Sequence, residues 1–304
     1  MQSTYAKIIK EVCKEESIEL SSFSYDWVFM MKKGDKFRYI LAYQFDLNTA
    51  AVQAICKDKC AAYDVLSNFG IPSVEHSIFM SPASGFSPKD GNHKYLSELL
   101  KKYGKLVLKP NEGASGTDVF CVESASELEF AADKIFAKSY SMAVSPYYEI
   151  YKEFRVIVLN GEVKLVFSKE IPFVVGDGSS SMAQLIANIP GFSLSSELNH
   201  VNLSEVPGKD EIVKLGWKHN LAHGALPQVV DDEKLIKSLS ALALEASRVL
   251  NIKFASVDTV LTEGSFKILE INSGVMMEHF ASSSAGNYDK AKEIYKEAIR
   301  LMFA

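Results

Sequence analysis

The sequence lacks most features that mark a secreted, membrane-spanning or nucleic-acid-binding protein. Its four cysteines, at positions 13, 56, 60 and 121, form no close CxxC pair. This spacing favours buried, reduced thiols in a cytoplasmic protein. No uninterrupted apolar run is long enough to cross a bilayer, so we expect no membrane partner. The net charge of -5 and the scatter of basic residues argue against nucleic acid as a partner.

What the sequence does contain is enough apolar material for a large core. Hydrophobic residues make up 47% of its 304 residues and charged residues 23%, which is typical of a globular enzyme with two or three subdomains. The periodicity of apolar residues predicts strands at 27–31 and 37–43 and helices at 4–16, 59–69, 125–138, 232–250 and 289–302.

A predicted hairpin near the C-terminus carries three oxygen-bearing side chains. Apolar runs around residues 258 and 270 are separated by a Thr-Glu-Gly-Ser turn, which predicts two antiparallel strands. Because side chains alternate along a strand, Asp258, Glu270 and Asn272 are expected on one face. These oxygens suit Mg²⁺ beside phosphates, and a cation compensates the cost of burying acids. The alternative is a surface hairpin with a hydrated polar face.

A second pattern is typical of a loop that binds phosphate. The predicted strand over residues 105–110 contains Lys109, and a small-residue loop with Gly113, Ser115 and Gly116 follows it. Small residues let backbone N–H groups approach phosphate oxygens, and the lysine adds a positive charge. The loop is neither a Walker A motif nor a dinucleotide fingerprint, because no helix follows the glycines. Taken alone, it also fits an ordinary mobile turn.

The order of these motifs resembles the ATP-grasp superfamily, especially its cyanophycin synthetase, glutathione ligase and ribosomal-protein glutamate ligase branches. The resemblance covers residues 55 to 280. It implies an α/β (α+β) protein with the ATP-grasp fold, in which two α+β subdomains grip ATP. A small N-terminal α/β domain would span residues 1–55 and the ATP-grasp domain residues 56–304. Residues 100–148 would be the flexible subdomain that covers ATP.

The resemblance implies a nucleotide site with a metal centre. Asp258, Glu270 and Asn272 match the magnesium ligands of the family. Lys59 precedes a Gly-Ile-Pro turn, as a phosphate-binding lysine of the family does. Pro146 stands where the adenine-binding hinge usually opens with an acid. The residues implied in nucleotide binding are Lys59, Lys109, Gly113, Ser115, Gly116, Tyr147, Tyr148, Glu149 and Glu153.

Two further stretches resemble the substrate side of these ligases. Residues 175–178, Val-Gly-Asp-Gly, are similar to a segment of the cyanophycin and glutathione ligases, and residues 217–224 to a loop of the glutamate ligases. In that loop Lys218 replaces the usual arginine. Ser256 stands where D-alanine:D-alanine ligases carry an arginine, so another cation would stabilise the tetrahedral intermediate. The implied catalytic residues are Arg155, Lys169, Lys218 and Asn220.

The implied activity is ATP-dependent carboxylate–amine ligation, with a thiol acceptor as a variant. A substrate carboxylate would attack the γ-phosphate to give an acyl phosphate and ADP, and an amino group would then displace phosphate. The substrates would be amino acids or peptides, and the cofactors ATP and two Mg²⁺ ions, with Mn²⁺ as a substitute. A homodimer is also implied. Two alternatives remain: an ATP-grasp kinase that phosphorylates a small-molecule hydroxyl, and a catalytically silent ATP-binding regulatory protein.

Overall fold

A computed structural model of the chain describes residues 3–86, 92–113, 116–170, 173–189, 201–215 and 226–304. The helices in these ranges are α1 (Thr4–Glu15), α2 (Ala50–Lys57), α3 (Lys59–Asn68), α4 (His93–Tyr103), α5 (Ala125–Phe136), α6 (Met182–Ala187), α7 (Glu233–Leu250), α8 (Glu278–Ser282) and α9 (Ala285–Phe303). The strands are β1 (Glu19–Phe23), β2 (Val28–Lys33), β3 (Lys36–Leu41), β4 (Gln44–Phe45), β5 (Ser77–Met80), β6 (Leu106–Pro110), β7 (Phe120–Val122), β8 (Ser141–Pro146), β9 (Lys152–Leu159), β10 (Glu162–Glu170), β11 (Phe173–Val175), β12 (Ile212–Lys214), β13 (Leu226–Val229), β14 (Phe254–Thr262) and β15 (Ser265–Asn272).

The N-terminal part of the chain forms an antiparallel sheet with the order β1-β2-β3-β4. Helix α1 starts at Thr4 because the Ser3 hydroxyl accepts the N–H of Ala6, and its apolar stripe is buried. This stripe packs against α9 and against the inner face of the sheet, where Phe29 and Ile40 lie. Residues from both ends of the described chain therefore share one core.

A five-stranded antiparallel sheet with the order β13-β10-β9-β14-β15 forms the centre of the molecule. On one face, Val156 and Val257 pack against α2, α3 and α7. On the other face, Ile157 and Phe167 belong to the core that includes α1, α8 and α9. Side chains of β9 alternate between the two faces of the sheet. In its second half, residues 156–159, the side chains on both faces are apolar and buried. In its first half, Glu153 and Arg155 place polar groups on one face.

A third sheet, with the order β5-β8-β6-β7, lies beside the central one. Helices α4 and α5 cover one of its faces through a core that includes Leu108 and Val144. The chain enters this sheet along residues 72–76, where Val74 N–H donates to the carbonyl of Ile268 at 2.8 Å and Ser73 forms a parallel bridge with the same residue. The third sheet is thus attached to β15 of the central sheet.

A smaller unit contains β11, β12 and α6 around a core of Val174, Met182, Ile186 and Leu215. Ser181 caps α6 in a capping box with Gln184. Within the ranges that the structure describes, none of the helices combines the length and the apolar character that crossing a bilayer requires.

The structure confirms the predicted elements, with shifts at their ends. The last predicted helix begins earlier, at Ala285, because the Ser284 hydroxyl accepts the N–H of Asn287. The strand predicted over residues 37–43 ends at Leu41, because Ala42 has a left-handed backbone with φ 54°. Helix α4 and strand β5 were not predicted. The domain boundaries at residues 55, 100 and 148 stay predictions.

Candidate active site

The predicted C-terminal hairpin forms and places its three oxygen-bearing residues on one face. Asp258 and Glu270 are directly opposite across β14 and β15, and Asn272 is opposite Ser256, two residues before Asp258. The register shifts after this pair, so that Thr259 faces Ile268 and Leu269 is the extra residue of a β-bulge. The Asn272 amide nitrogen donates to Glu270 Oε1 at 3.1 Å. The interpretation of a hairpin with one polar face is confirmed.

Asp258 is the centre of a buried ion-pair network. Arg155 lies opposite it on β9, and Arg155 Nε and Nη2 donate to Asp258 Oδ1 and Oδ2 at 2.7 and 2.8 Å. The Lys169 ammonium on β10 lies 2.9 Å from Asp258 Oδ2 and 2.5 Å from Glu153 Oε1. Asp258 is 1% exposed. The sequence analysis assigned these residues separately to catalysis, nucleotide binding and metal binding. The structure shows that Arg155, Asp258, Lys169 and Glu153 form one ion-pair network.

The network keeps its charges despite burial. Burial by itself raises the pKa of the Asp258 carboxyl, but the positive charges of Arg155 and Lys169 outweigh that effect and hold the pKa below its usual value. Burial likewise opposes the charge of Arg155, yet Asp258 raises the pKa of the guanidinium. Asp258 is therefore an anion, and Arg155 a cation with a fixed orientation.

A second pair of cations interacts with Glu270. Lys59 at the start of α3 and Lys109 on β6 both interact electrostatically with Glu270. Burial, together with the nearby charge of Lys59, lowers the pKa of Lys109 to about 8, although Glu270 opposes the change. Among the described residues, the Lys109 ammonium has no hydrogen-bond or ion-pair partner. Lys109 is buried and Lys59 half-buried, and an anion would relieve the repulsion between their charges.

The root of the glycine-rich loop is attached to Lys59. The Lys59 ammonium donates to the carbonyl oxygens of Gly113 at 2.8 Å and of Asn111 at 3.3 Å. A side chain at Gly113 would be tightly packed, because an added Cβ would lie 3.2 Å from Pro110 Cβ. Gly116 has a left-handed backbone with φ 69°, which glycine adopts without strain. Ser115 lies outside the described residues.

The hinge residues lie where the third sheet meets the central one. Tyr147 N–H donates to the carbonyl of Lys105 at 3.0 Å, and the Lys105 ammonium lies 4.3 Å from the Tyr147 ring centroid. The Lys267 ammonium lies 5.4 Å from the Tyr148 ring centroid. Both tyrosines are half-buried and Glu149 is exposed. Adenine binding by these residues, and ribose binding by Glu153, stay predictions, as do the roles of Lys218 and Asn220, which lie outside the described residues.

A cavity of about 150 Å³ opens between α2, α3 and β15. Its lining brings together Lys59, Gly113, Glu270 and Asn272, which the sequence had already singled out, and adds His76. The structure thus joins the metal ligands predicted in the C-terminal hairpin to the phosphate site predicted in the first half of the chain.

Two polar residues of this region were missed from the sequence. His76 is 5% exposed and its Nε2 has no partner among the described residues, and burial together with Lys109 and Lys59 lowers its pKa well below the usual value. Asn111 is fully buried. The signal for Asn111 was available, because it stands two residues after Lys109 and alternation places both on one face. His76 follows the Gly-Ile-Pro turn, but no pattern marked it.

The oxygen donors fit Mg²⁺. An ionised carboxylate offers about four lone-pair directions, and Asp258 uses three of them for Arg155 and Lys169, which leaves one on Oδ1. Asn272 keeps its carbonyl oxygen free because its nitrogen faces Glu270. Among the described residues, no group of three acidic, histidine or cysteine side chains could hold a metal. The amide oxygen of Asn272 is therefore needed to complete a set of three hard ligands.

Comparison with solved structures gives the class of fold. The structure is similar to that of a bifunctional glutathione synthetase from Pasteurella multocida, with a TM-score of 0.60 and 18% identity, over 97% of this chain and 44% of that one. The chain has the ATP-grasp fold.

Comparison with sequences gives two kinds of relatives. The bifunctional glutathione biosynthesis protein GshAB of Desulfotalea psychrophila is 23% identical over 221 residues, which are 61% of this chain and 28% of that protein. The cyanophycin synthetase of Synechocystis sp. is 28% identical over 211 residues, which are 60% of this chain and 24% of that protein. The chain spans about a quarter of each relative's length. No protein-family model matches the chain.

Proposed function

We propose that the protein is an ATP-dependent carboxylate–amine ligase that forms an amide bond between amino acid or peptide substrates. The observation that carries this proposal is the position of Glu270. It is directly opposite Asp258 across β14 and β15, and its charge interacts with half-buried Lys59, with buried Lys109 and with Arg155. A phosphate chain on one side of Glu270 and a reacting carboxylate on the other would each find fixed positive charge.

The charge balance of the site supports a polyanionic ligand. Four cations (Lys59, Lys109, Arg155 and Lys169) face three carboxylates (Glu153, Asp258 and Glu270), a surplus of one positive charge. A metal ion alone would raise this surplus in a buried region, whereas a metal ion that arrives with a triphosphate would not. ATP with Mg²⁺ fits this balance. Mg²⁺ bound by Asp258, Glu270 and Asn272 would neutralise charge on the phosphates, and the number of ions is proposed to be two.

The lysines and the arginine supply the rest of the chemistry. Lys59 and Lys109 bind the phosphates and orient the γ-phosphate for attack by a substrate carboxylate oxygen, which forms an acyl phosphate as ADP leaves. An amine then attacks the acyl carbon, loses a proton, and phosphate leaves. Arg155 and Lys169 stabilise the negative oxygen of the tetrahedral intermediate from positions that their pairing with Asp258 has already fixed. The small-residue loop after Lys109 excludes water, since hydrolysis of an acyl phosphate wastes ATP.

The relatives support the choice of acceptor. Both glutathione synthesis and cyanophycin synthesis appear in the names of proteins to which this chain is similar, and both products contain amide bonds. We therefore propose an amino group as acceptor. A cytoplasmic location and a homodimer remain further parts of the proposal.

The experiment that tests the proposal measures ADP and phosphate release with Mg-ATP and pooled amino acids and dipeptides, with mass spectrometry of the products. A ligase releases phosphate and yields a product lighter by one water than its summed parts. Glu270→Gln should lower turnover about 10- to 100-fold or more, while Glu263→Gln, an exposed residue of the hairpin turn, should leave it unchanged. A phosphorylated acceptor would show a kinase instead, and full activity of Glu270→Gln would contradict the proposed site.

A further inference from the structure

Asn111 joins the third sheet to the start of the helix that carries Lys59. Its carbonyl oxygen accepts from the Lys59 backbone N–H at 3.3 Å and from the Lys59 ammonium at 3.3 Å. Its side-chain Oδ1 accepts from the Cys60 N–H at 3.2 Å. Asp58 Oδ1 takes the next N–H of the helix, that of Ala61, at 2.8 Å. The N-terminus of α3 is therefore capped partly by Asp58, its N-cap residue, and partly by Asn111.

The backbone of Asn111 is fixed from the other side as well. Its N–H donates to the carbonyl of Ser141 at 3.2 Å, which continues the pairing of β6 with β8 beyond Pro110. Asn111 thus belongs to the third sheet by its N–H and to α3 by its carbonyl and side-chain oxygens. Lys59 and Lys109 lie on these two different elements, so the distance between their ammonium groups depends on Asn111.

One polar group of Asn111 remains unused. The residue is 0% exposed, and its Nδ2 has no hydrogen-bond partner among the described residues. A buried amide N–H without a partner is unfavourable, and native proteins rarely keep one without a ligand or water to accept it. Strand alternation places the side chains of residues 109 and 111 on the same face of the sheet, opposite to Leu108 in the core below α5.

We propose that Asn111 is a positioning residue for phosphate recognition, which holds Lys59 against the end of β6 and donates its free Nδ2–H to a phosphate oxygen of the nucleotide. The inference rests on the proposed function, because it takes the pair of lysines to be the phosphate site. It assigns the phosphate affinity to three groups, the two ammonium groups and one neutral amide. The amide contributes both a donor and the geometry of one of the lysines.

The test separates phosphate recognition from folding. Calorimetric titration without metal at pH 7 gives the Kd of adenosine and of ADP. The Kd of adenosine divided by the Kd of ADP reports how much the phosphates contribute to affinity, independently of the folded fraction. Asn111→Ala, which loses every side-chain contact, should lower this ratio about tenfold or more. Asn111→Asp keeps the oxygen that caps α3 but replaces the donor by a negative charge, and it should lower the ratio at least as much.

Asn48→Ala is the matched control. Asn48 is also a buried asparagine that joins two segments, because its Oδ1 accepts from Lys253 and Phe254 N–H groups and its Nδ2 donates to the Phe254 carbonyl. Its loss should lower stability and leave the ratio unchanged. A wild-type ratio retained in Asn111→Ala, or lowered equally in Asn48→Ala, would overturn the inference. A wild-type protein that binds neither ligand would overturn the proposed function itself.

Discussion

Arg155 and Asp258 face each other across neighbouring strands, and the guanidinium donates to both oxygens of the carboxylate at 2.7 and 2.8 Å. The residue that matches a metal ligand is therefore oriented before any metal arrives. Arg155 and Lys169 together occupy one lone-pair direction on Oδ1 of Asp258 and two on Oδ2. The direction that remains for a cation is therefore on Oδ1. Orientation of a ligand by hydrogen bonds from neighbouring residues strengthens metal binding.

The Arg155–Asp258 pair should couple strongly in a double-mutant cycle. Asp258→Ala leaves the Arg155 guanidinium without its carboxylate, and we expect it to lower the free energy of unfolding by about 3–5 kcal/mol. Arg155→Ala leaves Asp258 with Lys169 as its partner, so we expect a smaller loss. The double variant should cost less than the sum of the two, because neither charge is then left alone. Urea unfolding followed by circular dichroism measures all four proteins.

An exposed pair provides the control for this cycle. Lys138 lies 2.9 Å from Asp118, with 65% and 22% of the two side chains exposed. Lys138→Ala should change the free energy of unfolding by about 0–1 kcal/mol, because solvent screens the charges. Additive effects of the Arg155 and Asp258 variants would contradict the buried network.

The affinity for ADP should fall as the pH rises through the pKa of Lys109. Burial lowers that pKa to about 8, so the free protein carries a charged Lys109 at pH 7 and a largely neutral one at pH 9. Binding of a phosphate requires the ammonium and raises its pKa. The affinity should therefore be nearly constant below pH 8 and fall by up to about tenfold per pH unit above it.

Calorimetric titration at pH 7, 8 and 9 measures this dependence. Adenosine is the matched ligand, because it has no phosphate and its affinity should not follow the charge of Lys109. Lys109→Arg should give a flat profile for ADP, since a guanidinium stays protonated throughout this range. Equal affinity of the wild-type protein for ADP at pH 7 and pH 9 would show that Lys109 does not meet the phosphates.

Glu278 should stabilise α1 although it lies 274 positions away from the start of that helix. Its two carboxylate oxygens accept from the N–H groups of Thr4 and Tyr5 at 2.8 and 2.7 Å. Glu278→Ala leaves these helix N-terminal donors without a charged acceptor, and we expect a loss of about 1–2 kcal/mol. Thermal unfolding measures it, with Glu293→Ala on the exposed face of α9 as a control. An unchanged melting temperature would contradict this role.

Gly176 should not tolerate a side chain. An added Cβ would lie 2.1 Å from the Gly208 carbonyl oxygen and 2.8 Å from Pro207 Cβ, so the backbone would have to move. We expect Gly176→Ala to destabilise the unit around β11 and to reduce turnover. Gly286→Ala is the control, because no atom lies within 4 Å of its added Cβ and alanine favours the helix by about 1 kcal/mol. Limited proteolysis and the ligase assay compare the two variants.

The sequence predicted that Asp258, Glu270 and Asn272, the residues of the proposed metal site, share one face, but it could not predict the backbone geometry there. Strict alternation would place Ile268 on the same face as Glu270 and Asn272. In the structure the bulge at Leu269 reverses the phase, so that Ile268 and Ile271 both enter the core against α7 while Glu270 and Asn272 keep the polar face. Because residues 268 and 269 are both apolar, the sequence fits either register.

The contacts between residues far apart in the chain could not be predicted from the sequence either. The resemblance gave Lys59, Lys109 and Asp258 as separate motifs. Their arrangement depends on which strands are neighbours, and the pairing of β14 with β9 is what sets Arg155 beside Asp258. His76 carries no motif and Asn111 only its spacing from Lys109, and the burial and unused hydrogen-bonding atoms of both residues are seen only in the tertiary structure.

The shared core of α1 and α9 has a consequence for the order in which the chain folds as it is synthesised. Helix α1 and its sheet leave the ribosome early, yet the surface that covers them belongs to residues 275–302. Until those residues are made, the apolar stripe of α1 can pack against its own sheet but lacks its contacts with α9, and its first turn lacks the carboxylate of Glu278. The packing of α1 is therefore completed only after α9 has been synthesised, and in a nascent chain part of its apolar stripe stays open to chaperones and proteases until then.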